Sequence, residues 1–517
     1  MKTSLFCFSA LCLLLVTLSL PNKTTGDAPN APYIYYYSPS KQAFIVERAD
    51  GQDSRVLASY HLPESAVIEG PGWSKSGVWF AWISGAYLVG TSIDTENVVV
   101  VDKNGEKLNQ IFPKEVHIQA IAWSPTDDLL MISYSISGEY ALEQVIVYDP
   151  NKNSIVASIN AGVVEPKPTA DGAYFQRIVW SPDGRRLALQ YWDKVVIFEL
   201  TGQYHILDAT PDNRDSCNDS DFGALPHWFK DGRIAYLLSK NSALVIDDLS
   251  HLKAFSIALT DLSGAIVSTD WSPDENYALI YVENTASRTL KHELWLLSIP
   301  DQTIERLSSD VQFVNVCNIP FDKTAWNSAE QAWFIDDSGA LWLVNASPIQ
   351  FSKVEQLSEG AVSFLTPIEW SDSREVRFVW SNTENYSTQI YAYDPQTDTI
   401  NVLAPPENNS STQITFFLPL TPDSLIYVDT GTAIVIEKNR AQYTNIIFQP
   451  PAGFGPVTIG KIEKDTSGKY LFLLDGTSYV SNLINVASSN GEMQRQISDC
   501  PSIDSDSCFG WLQSTDF

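Results

Sequence analysis

The sequence predicts an all-β chain, a propeller of four-stranded blades, and three observations carry that prediction. A Trp-turn-strand pattern recurs along nearly the whole chain at a spacing of about 43–57 residues, a blade-like period. The runs between the turns alternate apolar and polar residues or are rich in Val, Ile and aromatics, as strands are, and helical periodicity is nearly absent. The chain has 517 residues, well beyond the roughly 250–300 at which a single hydrophobic core stops growing. It therefore requires either several domains or a repeat architecture. The 15 Trp against 3 Met point to a repeated structural role for Trp.

The fullest copy of the repeat is Trp180-Ser181-Pro182-Asp183-Gly184-Arg185-Arg186, followed by Leu187-Ala188-Leu189-Gln190-Tyr191. Its order suits a type I turn: Ser first, Pro with φ preset near −65°, Asp tolerated next, and Gly last. Partial copies start at Trp73, Trp123, Trp228, Trp271, Trp326 and Trp370, and two copies without Trp lie at Leu420-Thr421-Pro422-Asp423-Ser424 and Lys464-Asp465-Thr466-Ser467-Gly468. After each turn comes a strand, such as Tyr277-Ala278-Leu279-Ile280-Tyr281. A third strand often ends in Asp, as in Val145-Ile146-Val147-Tyr148-Asp149, and a short outer strand follows, such as Ile304-Glu305-Arg306-Leu307. With the strand before the Trp, each unit has four strands.

The first unit has only three: Tyr33-Ile34-Tyr35-Tyr36-Tyr37, Ala43-Phe44-Ile45-Val46 and Arg55-Val56-Leu57. The tail Phe509-Gly510-Trp511-Leu512-Gln513-Ser514 supplies a fourth, because an open ring leaves bare sheet edges. That makes nine units and one composite unit. The expectation is one large ring of seven to ten blades closed by the C-terminal strand, with tandem propellers as the alternative. The stretch 404–412, rich in Pro, Asn and Ser, is the one candidate sub-boundary.

The Trp-Ser-Pro-Asp-Gly turn between the first two strands resembles the WD40-like repeats of the TolB-type β-propeller family, and the resemblance covers nearly all of residues 27–517. It implies the propeller fold. It discriminates little on function, because such propellers include binding scaffolds, regulatory halves of peptidases and a few lyases.

Composition narrows the partners. Lys plus Arg is 33 and Asp plus Glu is 62, a formal charge of −29, which repels phosphate backbones and anionic lipid heads. No nucleic acid is expected. Met1-Lys2, the apolar run Leu5 to Leu20 and the small residues before Gly26 read as a signal peptide over 1–26, with a retained signal anchor as the alternative. No membrane span is expected after cleavage, and the mature chain is expected to be an extracytoplasmic monomer, periplasmic, surface-attached or secreted. Four cysteines then remain: Cys217, Cys317, Cys500 and Cys508. Three pairings are open, and the closeness of Cys500 to Cys508 favours one joining those two and leaving Cys217 with Cys317.

The chemistry-bearing residues are sparse. The Gly-x-Ser-x-Gly elbow is absent, and the resemblance to peptidase propellers brings no hydrolase domain, so peptidase activity is not expected. The six His, at 61, 117, 205, 227, 251 and 292, form no paired zinc motif. His117 and His227 lie near the first strand of a unit, where they could reach the propeller face as the resemblance to lyases implies, but isolated polar His is the plainer reading. Asp215, Asp219 and Asp221 form the densest acidic stretch and are weak Ca²⁺ candidates, since calcium takes six to eight oxygens. Their spacing does not match the known twelve-residue loop, and a solvated loop explains them as well. No catalytic residue and no cofactor other than that Ca²⁺ is expected. Trp192 beside Asp193 would suit sugar stacking; the repeat Trp residues are expected to pack between blades. Sequons occur at Asn218, Asn345, Asn385, Asn408 and Asn409. The resulting expectation is a non-enzymatic scaffold binding a protein or polymer partner through its loop face. The alternative is a polysaccharide-acting lyase or hydrolase with its site on the propeller axis.

Overall fold

The computed structural model describes residues 32–38, 40–59, 66–86, 96–112, 116–136, 142–164, 175, 177–191, 194–208, 226–238, 243–249, 255–259, 262, 265–284, 291–311, 326, 330–336, 340–354, 360–362, 369–370, 375–382, 387–404, 414–421, 424–429, 432–437, 445–448, 459–465, 470–475, 482–488, 494–500 and 509–511. They form ten antiparallel sheets, numbered here in chain order. Sheet 1 joins Tyr33–Ser38, Ala43–Arg48 and Arg55–Ser59 to Phe509–Trp511, and sheet 2 runs from Ala66–Trp73 to Leu108–Gln110. Sheet 3 holds Val116–Trp123, Leu130–Ile136, Gln144–Asp149 and Ser154–Asn160. Sheet 4 holds Arg177–Trp180, Arg186–Tyr191, Lys194–Glu199 and Tyr204–Asp208. Sheet 5 runs from His227–Trp228 to Phe255–Ala258, sheet 6 from Ala265–Trp271 to Thr303–Val311, and sheet 7 from Gln331–Ile335 to Ile349–Lys353. Sheet 8 runs from Gly360–Val362 to Thr399–Ala404, sheet 9 from Ile414–Thr421 to Asn445–Phe448, and sheet 10 from Ile459–Lys464 to Gln494–Cys500. The ten sheets match the nine units plus one composite unit read from the sequence.

Two sheets depart from the four-strand plan among the described residues. In sheet 7 the first position is marked, among the described residues, by a single bridge, Trp326 to Ala332. In sheet 8 it is split, with Gly360–Val362 and Glu369–Trp370 both pairing with Val376–Asn382. The Trp position survives in both.

From sheet 1 to sheet 9, each sheet faces the next through apolar side chains, as alternation in a half-buried strand requires. Phe44 and Leu57 of sheet 1 meet Phe80 and Trp82 of sheet 2. Val147 and Ile159 of sheet 3 meet Leu187 and Phe198 of sheet 4. Comparable clusters join sheets 2 and 3, 4 and 5, 5 and 6, 6 and 7, 7 and 8, and 8 and 9. Burying a side chain of this size stabilises by about 1.5–3 kcal/mol.

The repeat Trp residues add a directional link. The indole N–H of Trp123 donates to the Gly72 carbonyl at 2.9 Å, that of Trp180 to Ala122 at 3.1 Å, that of Trp228 to Val179 at 3.3 Å, and that of Trp326 to Asp270 at 3.1 Å. Each acceptor is the residue just before the repeat Trp of the preceding sheet. The ring thus fills the gap between sheets while its polar edge fixes their offset.

Sheet 10 approaches sheet 1 as sheet 1 approaches sheet 2. Gly105, in the third-to-fourth turn of sheet 2, has no room for a Cβ because of the Leu57 carbonyl on the outer strand of sheet 1. Gly51, in the same turn of sheet 1, lies against Arg495 on the outer strand of sheet 10. Arg495 also pairs with Glu47 of sheet 1. The C-terminal strand completes sheet 1 in register, Ile34 opposite Trp511 and Tyr36 opposite Phe509.

The fourth strands form the rim. Val56, Leu108, Ile155, Tyr204, Phe351 and Val402 are exposed there. Bulges interrupt the pairing of the outer strands in sheets 1, 3, 6, 8, 9 and 10. A bulged edge is a poor template for a further strand.

Candidate functional site

Antiparallel order sorts the connections onto two ends of each sheet. Turns from first to second and from third to fourth strand fall at one end, and they are tight. In the fullest repeat, Gly184 N donates to Ser181 O at 2.9 Å and Arg186 N donates to Ser181 Oγ at 2.9 Å. Ser181 Oγ donates to Asp183 Oδ1 at 2.6 Å, which also accepts from Arg185 N at 3.1 Å. Burial works to raise the Asp183 carboxyl, but these bonds and the nearby Arg186 and Arg185 hold it below its usual range. Gly184 has φ +65°, and a Cβ there would strike Thr126 of the neighbouring turn. Asp183 at this end is a turn acceptor for its own backbone, while Asp128 and Glu275 accept from the neighbouring turn, at Ser76 and Lys230.

The passages from sheet to sheet fall at the other end with the second-to-third loops, and three of them are long. They span 161–176 between sheets 3 and 4, 209–226 between sheets 4 and 5, and 312–325 between sheets 6 and 7. Long connections on a rigid frame are where recognition residues concentrate.

At this end, between sheets 3 and 4, sits a buried carboxyl. Glu143 immediately precedes the strand Gln144–Asp149 and is in phase with Val145 and Val147, which pack toward sheet 4. It is only 1% exposed. Its carboxylate accepts from Ser133 Oγ on the second strand and from the backbone N–H of Phe175, at the end of the 161–176 passage. Its own carbonyl accepts from Ala161 N at 3.0 Å, at the start of that passage. One residue therefore holds both ends of the connection.

The third side chain is Gln119, the extra residue of a bulge between Ile118 and Ala120 on the first strand of sheet 3. Gln119 is exposed, yet its amide end lies 2.6 Å from Glu143 Oε1, 3.2 Å from Oε2 and 3.2 Å from Ser133 Oγ. Burial is the leading influence on Glu143 and pushes its carboxyl up to about 7, against the opposing bonds from Ser133 and Phe175. A carboxyl poised near neutrality can give or take a proton under ordinary conditions.

The histidines divide. His227 is half-buried, stacked flat on Trp271 at 4.8 Å and 12° and edge-on to Phe229 at 5.2 Å. Its Nε2 lies 3.8 Å from Glu275 Oε1. Glu275 also accepts from Lys230 N at 2.9 Å. Burial works to raise the Glu275 carboxyl, and the His227 and Lys230 interactions outweigh it and bring it down. This cluster joins sheets 5 and 6 and reads as structural. His117 is exposed on the first strand of sheet 3, opposite Ser135 and two residues before Gln119. His205 is exposed on the rim, and His292 lies in the strand Lys291–Ser298. Residues 1–26, His61, His251, the Ca²⁺ candidates Asp215, Asp219 and Asp221, Cys217, Cys317, Cys508 and Trp192 lie outside the described residues. Trp79, Trp82 and Trp295 are buried, and Trp333, Trp342 and Trp380 are half-buried. Among the described residues no three His, Cys, Asp or Glu side chains converge as a metal site, and no helix is long and apolar enough to cross a membrane.

No family model matches the chain, and no curated protein sequence matches it. Several solved structures are similar over much of its length. A crystal structure of a eukaryotic initiation factor aligns with 93% of this chain and 98% of its own, at 12% identity and a TM-score of 0.47. Oligogalacturonate lyase in complex with manganese aligns over 90% and 96%, at 8% identity and 0.36. The β-propeller domain of the trilobed protease from Pyrococcus furiosus aligns over 65% and 99%, at 12% identity and 0.29. Likenesses this distant carry no argument about function. The propeller-type fold rests on the ten antiparallel sheets and on the contacts that join sheets 1 to 9 in succession and sheet 10 to sheet 1.

Proposed function

We propose that this chain is an exported propeller of the TolB-type, WD40-like kind that binds a protein or polymer partner through the end carrying its long connections. One observation carries the reading: the passages 161–176, 209–226 and 312–325 all bridge sheets at the same end, opposite the tight turns. The turn end spends its polar groups on itself, which leaves the connection end as the variable surface. In this reading residues 1–26 are removed on export, and the mature chain acts as an extracytoplasmic monomer. The net charge of −29 favours a partner that is basic or neutral.

The test compares two immobilised proteins, the mature chain and a version whose residues 211–223 are replaced by a short Gly-Ser linker. Both are exposed to envelope and culture-fluid fractions of the source. A partner retained by the first and lost by the second, with the melting temperature unchanged, supports the reading. Equal retention by both, or no partner for either, overturns it.

A second reading, an enzyme acting on polysaccharide, draws on Glu143. A carboxyl held near 7 suits a general acid, and the exposed Gln119 stands in front of it. Reducing-end and unsaturated-product assays on neutral and acidic polysaccharides test this reading. It fails if no substrate is cleaved, or if Glu143→Gln cleaves as fast as the native chain.

A further inference from the structure

We propose that the outer strand of sheet 4, Tyr204–Asp208, is a docking edge that takes an extended segment of a partner protein as a fifth strand, a segment apolar at alternate positions and neutral or basic in charge. The other rim strands are guarded and this one is not. An open edge templates pairing with other chains, and folded proteins blunt it with bulges, shortness, Lys or Pro. Among the described residues, the outer strands of sheets 1, 3, 6, 8, 9 and 10 are bulged. Those of sheets 2, 4, 5 and 7 pair without a bulge. Of these, Leu108–Gln110 is only three residues long. Phe255–Ala258 has four, and its two large side chains, Phe255 and Ile257, pack inward between sheets 5 and 6. Ile349–Lys353 follows Pro348 and ends in an exposed Lys. Tyr204–Asp208 has five residues and neither bulge, Lys nor Pro.

The register fixes which backbone groups face outward. Glu199 N donates to Gln203 O at 2.8 Å, at the turn that leads into the strand. Antiparallel pairing alternates between residue pairs that exchange backbone bonds and pairs that exchange none. Stepping in twos from Glu199 and Gln203, Ile197 with His205 and Val195 with Leu207 are bonded pairs, whereas Phe198 with Tyr204 and Val196 with Ile206 are not. The N–H and C=O of Tyr204 and Ile206 therefore point away from the sheet, along the open edge. The same two residues expose their side chains, Tyr204 by 45% and Ile206 by 41%. Their cross-strand neighbours Phe198 and Val196 pack toward sheet 3, so Tyr204 and Ile206 stand on that face. Ile155 and Val156 are exposed on the outer strand of the adjoining sheet 3.

These features specify the occupant. Donors and acceptors repeated every second residue along one line match the backbone of an extended chain, the mode of recognition in which a peptide adds a strand to a sheet. Apolar side chains at alternate positions of the incoming strand lie over Tyr204 and Ile206, and its other side chains lie on the face of His205. A second copy is the poorer fit. Each chain carries a charge of −29, so two copies repel. A stable dimer also uses about 20–30 residues a side, where this edge supplies five. The same charge attracts a segment bearing Lys or Arg. The edge lies along the rim, apart from the long connections, so partner capture there neither requires nor excludes pairing here.

The test uses the full mature chain and a fluorescent library of peptides of about eight residues, with Val, Ile, Phe or Tyr alternating with Thr and a Lys at each end. Fluorescence anisotropy reads binding. Ile206→Pro removes one outward N–H and leaves the bonds to Val195 and Ile197 in place, since an edge strand tolerates Pro where the N–H faces solvent. Peptides that bind the native chain are expected to bind this variant about tenfold more weakly, at an unchanged melting temperature. Equal affinity for the two proteins, or no peptide bound by the native chain, overturns the proposal. So does self-association of the native chain that Ile206→Pro abolishes, which makes the occupant a second copy. If the proline variant does not fold, backbone hydrogen exchange of the native chain decides. Added peptide is expected to slow exchange at Tyr204 and Ile206, and unchanged exchange at both overturns the proposal.

Discussion

Two junctions between neighbouring sheets each bury a glutamate, and they solve the problem in opposite ways. Between sheets 10 and 1, Glu47 meets the guanidinium of Arg495. Between sheets 3 and 4, the partners of Glu143 among the described residues are neutral donors, the Ser133 hydroxyl and the Phe175 N–H, beside the Gln119 amide. Both side chains are almost fully covered. The first junction supplies a countercharge and so holds an ion pair. The second supplies none among the described residues, and burial there favours keeping the proton. Similar burial thus yields a fixed clamp in one place and a titrating group in the other, and the neighbour decides which.

Removing Arg495 should produce the largest effect. Arg495→Met leaves a buried carboxylate without its partner, which costs about 3 kcal/mol, the lower part of the range because the guanidinium is partly open to water. Urea unfolding measures this, and adding Glu47→Gln to the same chain should return much of the loss. A cost below about 1 kcal/mol would mean that Glu47 can be neutralised as easily as Glu143, and the contrast would collapse.

Glu143→Gln sharpens the other side. A carboxyl whose pKa is raised by folding, here from 4.5 to about 7, favours the folded chain fully below pH 4.5. That contribution is lost as pH climbs through 7. The native chain should therefore lose stability across this window, while the variant should not, and at pH 8 the variant should be more stable by about 2 kcal/mol. Unfolding midpoints at pH 5 and pH 8 decide it. A pH slope common to both proteins places the titrating group elsewhere.

Ser133→Ala is the mildest intervention. It removes a donor that holds the Glu143 carboxyl down. The expected result is a destabilisation of about 1 kcal/mol and a titration midpoint for Glu143 above that of the native chain. A midpoint unchanged or lowered shows that the hydroxyl does not serve the carboxylate.

The legibility of these features differs for physical reasons. The Trp180 to Gly184 turn could be read because its information is local: each residue is chosen for its own backbone angle or its own hydrogen bond. The composite first sheet was also readable, since three strands near Tyr33 lacked a fourth and Trp511 offered one. The split first strand of sheet 8 was not, because Gly360–Val362 looks like any short connection until its pairing with Trp380–Asn382 is seen. Nor was the indole-to-carbonyl chain, which depends on the offset between sheets rather than on any one of them. Glu143 escaped notice because what makes it unusual is Phe175, thirty-two residues later, at the end of the passage into sheet 4. One signal was present: an acidic residue in phase with Val145 and Val147, at a position where the alternation calls for an apolar side chain. His227 shows the converse. Its place near a first strand suggested a face, but its ring is spent on Trp271.

The pairing of residues 34–36 with residues 509–511 also imposes an order of events. During synthesis the first sheet emerges early, yet its innermost strand is not made until more than four hundred residues have followed. Until then Tyr33–Ser38 presents bare N–H and C=O groups to anything nearby, and a chaperone or another nascent chain would find a template there. Joining partners so far apart in sequence is also entropically slow. The last act of folding is thus a search by one end of the chain for the other. The time that search takes, more than the strength of any sheet, sets how long the newly made protein stays at risk of sticking to its neighbours.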